Sequence, residues 1–306
     1  MLSPRGVRAP VIFTRADQRY RASMRTRRVV LPLIALATAL TVASPVAQAD
    51  KSSDLSSGPA LKTTTAAFVD DVSGDFQVAT VACPAGQKVL AGGYSGADGD
   101  FATANRALDD HTWVVKGSFS LSSTAFAYCS AGLTVEPAST TAHIPGYSTT
   151  SGGNNSRAVS AKCPRGTRVV SGGWEWAPYA GNSPVYTSKP HHRRSWIVSG
   201  VYDGEVDFDF TTYAYCMRGV DAVTVSAPVV IDDTATATAT CTTGRLIGGG
   251  FDTTPAPDFY NTTGPDTFGY TASRASRKSW TVSARNYSSF NTGSIVAIAR
   301  CYSKRH

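Results

Sequence analysis

From residue 76 onward, apolar and polar positions take turns. The alternation runs through Phe76 to Cys83, Val159 to Cys163 and Thr234 to Cys241, the period of a strand with one buried face. Each run ends at a cysteine and enters turn chemistry: Cys83-Pro-Ala-Gly, Cys163-Pro-Arg-Gly and Cys241-Thr-Thr-Gly. Proline presets φ, and glycine accepts a positive one. A short apolar strand follows and ends on Gly92-Gly93-Tyr94, Gly172-Gly173-Trp174 or Gly249-Gly250-Phe251. Paired glycines inside a strand mark a bulge, or a place where another backbone comes close. After a variable segment, Trp113, Trp196 and Trp280 open a further alternating run. A second cysteine then closes each stretch: Ala127-Tyr-Cys129, Ala214-Tyr-Cys216 and Ala299-Arg-Cys301. Outside the leader no window has the apolar stripe of an amphipathic helix.

These features recur three times in one order. From first cysteine to tryptophan is 30, 33 and 39 residues, and from tryptophan to closing cysteine 16, 20 and 21. Three motifs in register define an internal repeat. The expectation is an all-β, pseudo-threefold repeat of small antiparallel sheets, prism-like, with one sheet and one disulfide per copy. The predicted bonds are Cys83–Cys129, Cys163–Cys216 and Cys241–Cys301. The boundaries expected are residues 66–133, 134–220 and 221–306, and short connectors favour one compact domain over three beads.

Charge changes the picture at the N-terminus. The chain has 29 Lys plus Arg against 22 Asp plus Glu, a net charge of +7. Residues 1–49 hold eight arginines and one acid, so the rest carries 21 of each sign. The basic excess belongs to a leader, and the remainder has no broad cationic surface for nucleic acid. Within 1–49, Met24-Arg-Thr-Arg-Arg28, the apolar stretch Val29 to Ala43 and the small residues ending at Ala49 read as a secretory signal, with Met24 the true start. The mature chain holds no apolar run long enough to insert in a membrane. Residues 50–65, rich in Ser, Thr and Lys, read as a flexible polar tail. An even count of six cysteines fits a secreted, extracellular protein.

No local pattern supports catalysis: H-E-x-x-H and G-x-S-x-G are absent, and pairing leaves no free thiol. No cofactor and no catalytic residue is expected. Copy two departs most from the shared text, so its Trp176, Tyr179 and Tyr186, with His191, His192, Arg193 and Arg194, are the candidate binding residues, suited to sugar stacking or a protein hot spot. Asp203, Glu205, Asp207 and Asp209 alternate, which puts four carboxylates on one strand face. They form a weak calcium site, meet the His191 to Arg194 run, or face solvent while Val206, Phe208 and Phe210 fill the core.

The pattern C-P-x-G, G-G-aromatic, W-x-V and A-Y-C resembles small secreted β-repeat proteins of actinobacteria, over residues 76–303. The plan of export signal, polar tail and disulfide-stapled β module is also similar to the adaptor subunit of streptomycete umbrella toxin particles. That resemblance implies a non-enzymatic linker between a lectin-bearing subunit and a toxin scaffold. The repeat with one differing copy itself leads to the expectation of a secreted, non-enzymatic interaction module, a protein-binding adaptor or structural component whose partner is a secreted or cell-surface protein or a glycan. A carbohydrate-binding lectin is the alternative, and a secreted hydrolase with an unrecognised site the third reading.

Overall fold

A computed structural model describes residues 61–71, 76–146, 156–177, 184–201, 206–254, 268–286 and 293–304. The leader, residues 50–60 of the tail, Tyr179, Asp203 and Glu205 lie outside the described residues. Copy one supplies β1 (Lys62–Ala67), β2 (Val69–Asp70), β3 (Gln77–Ala82), β4 (Lys88–Ser95), β5 (Phe101–Ala107), β6 (Thr112–Ser118) and β7 (Thr124–Ser130). Copy two supplies β8 (Glu136–Ile144), β9 (Arg157–Lys162), β10 (Thr167–Ala177), β11 (Val185–His191), β12 (Ser195–Gly200) and β13 (Phe208–Arg218). Copy three supplies β14 (Val220–Ile231), β15 (Thr234–Thr240), β16 (Arg245–Thr254), β17 (Phe268–Ser276), β18 (Ser279–Asn286) and β19 (Gly293–Lys304). The three alternating runs are therefore β3, β9 and β15, and the glycines of the turns that follow, Gly86, Gly166 and Gly244, all have positive φ.

Among the described residues there are three antiparallel sheets for three copies, and none of them belongs to one copy. The first is ordered β1-β7-β4-β17-β18-β15, the second β2-β3-β6-β5-β10-β13-β8, the third β14-β19-β16-β11-β12-β9. Each copy gives its first, third and last long strands to one sheet and the other three to the next. This corrects the expectation of one sheet per copy. Lys62 to Thr65, assigned to the tail from composition, pair in β1 with Phe126 to Cys129 of β7. Their backbone groups complete a ladder, which the polar side chains gave no sign of.

The Gly-Gly pair explains the weave. The glycine strand of each copy crosses to a strand of a neighbouring copy, with Tyr94 opposite Ser273, Trp174 opposite Asn105 and Phe251 opposite Ser188. A Cβ on Gly93, Gly173 or Gly250 would collide with the backbone oxygen of Ser273, Asn105 or Ser188. A Cβ on Gly92, Gly172 or Gly249 would enter the ring of Trp113, Trp196 or Trp280. The first glycine thus admits the tryptophan and the second admits the next copy's backbone. Bulges are present as well, but they fall ahead of the glycines, between Val89 and Ala91, Val169 and Ser171, and Leu246 and Gly248.

The core lies between the sheets, and the tryptophans are its largest members, with Trp113 and Trp196 fully buried. Their indole N–H groups are satisfied from within the copy: Trp113 donates to Asn105 Oδ1 at 2.7 Å, Trp196 to Ser188 Oγ at 3.0 Å and Trp280 to Ser273 Oγ at 3.1 Å. Burying an indole requires such a partner.

All three expected disulfides form: Cys83–Cys129, Cys163–Cys216 and Cys241–Cys301. In each, the first cysteine follows a strand of one sheet and the second lies in another sheet. The bonds therefore tie the first sheet to the second, the second to the third and the third to the first. Their presence points to an oxidising environment, and no helix among the described residues is long and apolar enough to cross a membrane.

Candidate functional site

The three joints between copies are alike in backbone but not in what covers their outer side. In the first sheet Tyr128 reaches across to accept the backbone N–H of Ala275 at 2.6 Å. In the second sheet Tyr215 accepts the N–H of Ala107, also at 2.6 Å. Both rings are buried, and desolvation pushes both phenols far above their ordinary range. They pack near the tryptophans, with Tyr128 to Trp280 at 5.7 Å and Trp113 to Tyr215 at 5.4 Å between centroids.

The third sheet breaks the pattern at both ends of this bond. Arg300 stands where the other copies have tyrosine, directly before the closing cysteine. Pro190, opposite Trp196, stands where the others have Ala107 opposite Trp113 and Ala275 opposite Trp280. Proline has no N–H to give, so a tyrosine here would lose its partner. Arg300 instead donates from Nη1 to Thr224 Oγ1 and from Nη2 to Val169 O, each at 2.5 Å. It is 3% exposed, its Nε has no partner among the described residues, and burial pushes its pKa down to about 10.

A cleft of about 830 Å³ opens on this side of the third sheet, with Arg300 in its lining. Arg168, Lys189, His192 and Arg193 add positive or titratable groups, and Asp221 and Asp252 are its carboxylates. Lys189 pairs with Asp252 at 2.5 Å, and Thr187 donates to the same carboxylate at 2.7 Å. Val296 and Ile298 of β19, with Ala222 of β14, supply apolar lining. The equivalent place in the second sheet is filled differently. There Arg106 grips Glu175 through Nε and Nη2 at 2.8 and 3.0 Å, and Tyr213 donates to Glu175 at 3.1 Å.

The expected binding residues divide. His192 and Arg193 line the cleft. His192 sits at positive φ in the β11–β12 turn, and the carbonyls of Arg193 and Arg194 accept from Val169 and Cys163. The exposed His191 packs its ring 4.1 Å from that of His192. Trp176 and Tyr186 are not an exposed stacking platform. Trp176 is 4% exposed and stacks on Phe210 at 3.8 Å, with Phe208 at 5.0 Å. Tyr186 is buried and its hydroxyl meets Ser156 at 2.7 Å. Strand alternation turns Trp176 to the same inner side as Trp174, where the aromatic residues of β13 await it.

Of the three readings of the acidic run, the solvent-facing one holds for Asp207 and Asp209, with Phe208 and Phe210 turned inward and Val206 the exception. Asp207 and Asp209 meet His143, at 3.6 and 3.1 Å, and not the His191 to Arg194 turn. Register explains it, since Asp209 lies opposite His143 in the β13–β8 pair. The carboxylate of Asp209, then that of Asp207, holds the imidazole above its usual pKa. Phe208 and Phe210 are core, whereas Val206 is 66% exposed. Among the described residues no group of three or more His, Cys, Asp or Glu is placed to hold a metal ion.

Arg300, Pro190, Lys189 and Arg168 were not singled out from sequence. The signal was present in one word: two copies close on Ala-Tyr-Cys and the third on Ala-Arg-Cys. No protein-family model matches the chain, and no curated protein matches it.

Proposed function

We propose that this is a secreted, non-enzymatic interaction module, a protein-binding adaptor or structural component of an extracellular assembly. The observation that supports it is a symmetric scaffold with one asymmetric joint. Two joints are sealed by tyrosine, and the third carries a basic cleft within the volume range of ligand sites. A repeat that keeps its scaffold in three copies and opens one joint presents a unique surface, as binding one partner in one orientation requires. The three disulfides fit work outside the cell, where stability must last without repair.

The test is affinity capture with the mature chain, residues 50–306, from the producer's culture supernatant, with mass spectrometry and a parallel glycan array. A single protein recovered at fixed stoichiometry, and re-formed from purified components, is the expected result. A specific array hit with no protein partner would make the protein a lectin. Turnover of ester, glycoside or peptide substrates would make it a hydrolase.

A further inference from the structure

We propose that the cleft on the third sheet is a carboxylate receptor that takes an acidic segment of a protein partner, with the Arg300 guanidinium as its anchor. The inference rests on the binding-module reading above and names the chemistry of that same surface.

Arg300 is held by hydrogen bonds to two neutral oxygens, Thr224 Oγ1 and Val169 O, and among the described residues no counter-charge meets it. The same position is served in the other two joints by a neutral, buried tyrosine whose hydroxyl accepts a part-buried backbone N–H. Placing a guanidinium there removes a cation from water, which is costly unless a counter-charge meets it. Among the described residues no carboxylate lies within ion-pair distance of Arg300, while Asp252 is engaged by Lys189 and Thr187. Two of the five guanidinium N–H donors are used within the described residues, and the Nε donor is among those left over. Three donors remain, of which Nε is itself buried, so the guanidinium that lines the cleft keeps capacity for a further charge-assisted hydrogen bond to a carboxylate.

The surroundings favour the same ligand. Arg168, Lys189, Arg193 and Arg300 are four fixed cations against two carboxylates in the lining. That imbalance draws anions and raises their local concentration. The apolar surface of Val296 and Ile298 sits beside it. A peptide that alternates acidic and apolar side chains satisfies both, whereas a free inorganic anion would leave the apolar part wet. Pro190 completes the device. Without its N–H the bond that tyrosine makes in the other two joints would have no donor here, so Arg300 and Pro190 differ from the shared pattern at the two ends of one bond.

The experiment uses the full mature chain and an array of capped hexapeptides that alternate Glu or Asp with Val, Ile or Phe. Each is matched by its Gln or Asn counterpart, and binding is read by fluorescence anisotropy. Two variants accompany the wild type: Arg300→Met, and the double change Pro190→Ala with Arg300→Tyr. The double variant rebuilds the joint that the other two sheets already fold around, so it keeps a folded comparison if the single change fails.

Saturable binding of acidic hexapeptides is expected, at least tenfold weaker for the amide counterparts and for both variants. The melting temperature of the unliganded double variant should rise, because a buried, uncompensated charge is gone. Equal binding of acid and amide peptides, equal binding by wild type and double variant, or no saturation by 1 mM peptide would each overturn the proposal. So would a lower melting temperature with unchanged binding, which would make Arg300 a structural residue. Oligogalacturonate displacing the peptide at equal charge concentration would move the site to acidic glycans and overturn the peptide assignment. If the captured partner still binds the double variant with wild-type affinity, the carboxylate site falls while the adaptor reading stands. If no partner exists, the adaptor reading falls on its own.

Discussion

Replacing Gly173 by alanine puts one methyl group into the joint between the first and second copies. The new Cβ would lie closer than 3.0 Å to the backbone oxygen of Asn105 and 3.1 Å from Arg106 Cα. Backbone cannot swing aside as a flexible side chain can, so β10 and β5 must part. An ordinary C···O contact needs roughly 1 Å more, which stretches joint hydrogen bonds beyond any useful length. The joint pairs Trp174 with Asn105 and Glu175 with Ala104. Loss of about two ladder hydrogen bonds with their groups left unpaired, at about 1–3 kcal/mol each, would cost roughly 4 kcal/mol. Gly166→Ala is the control. It has φ of +83° with nothing within 4 Å of the new Cβ, so it meets only the left-handed backbone penalty of about 1–2 kcal/mol. For a domain of this size each kcal/mol shifts the midpoint by about 2–4 °C. Thermal melts of the oxidised proteins should show Gly173→Ala about 8–16 °C below wild type and Gly166→Ala a few degrees below. A Gly173→Ala melt no lower than that of Gly166→Ala would refute the account of the second glycine as a backbone-contact residue.

Removing the second disulfide by Cys163→Ala with Cys216→Ala, a separation of 53 residues, should cost about 4 kcal/mol by loop entropy, read from guanidinium unfolding. Trp113→Phe leaves the buried Asn105 amide oxygen without its indole donor and should lower stability by about 1–3 kcal/mol, whereas exposed Thr238→Ala should stay close to wild type. The His143 contribution depends on pH. Its pKa is raised in the folded state, so its stabilisation is complete below the unfolded value near 6.5 and is lost as pH rises through the folded one. The gap in melting temperature between wild type and His143→Gln should therefore narrow from pH 5 to pH 9. A constant gap would show that the Asp207 and Asp209 contacts carry no net charge interaction.

What repeats was legible, because a residue needed in every copy appears three times in register. The cysteine pairing, the positive-φ turn glycines and the close approach at Gly-Gly all followed from chemistry that does not depend on which copy supplies the partner. The exchange of strands between sheets was not legible for that same reason. Gly173 needs a bare backbone opposite it whether the neighbour is its own β11 or the first copy's β5. Copy two's departure from the shared text points to Trp176, yet an added aromatic on a strand's inner side is packing. The informative change was small, one tyrosine exchanged for Arg300, and its meaning lay in Pro190, 110 residues earlier, which only register brings opposite Trp196. His143 was missed because its partners Asp207 and Asp209 pair across strands.

A single copy of this unit owns no sheet. It holds half of one and half of the next, so alone it would expose two unfinished edges. Three identical chains could complete one another around a closed ring, each lending strands to the next, and every joint of that ring would be the same. Joining the copies in one polypeptide removes the constraint. Each joint can then drift without the other two following, and a costly change needs to be tolerated once, not three times. An arginine buried at one joint is the kind of change an obligate homotrimer would have to accept in triplicate.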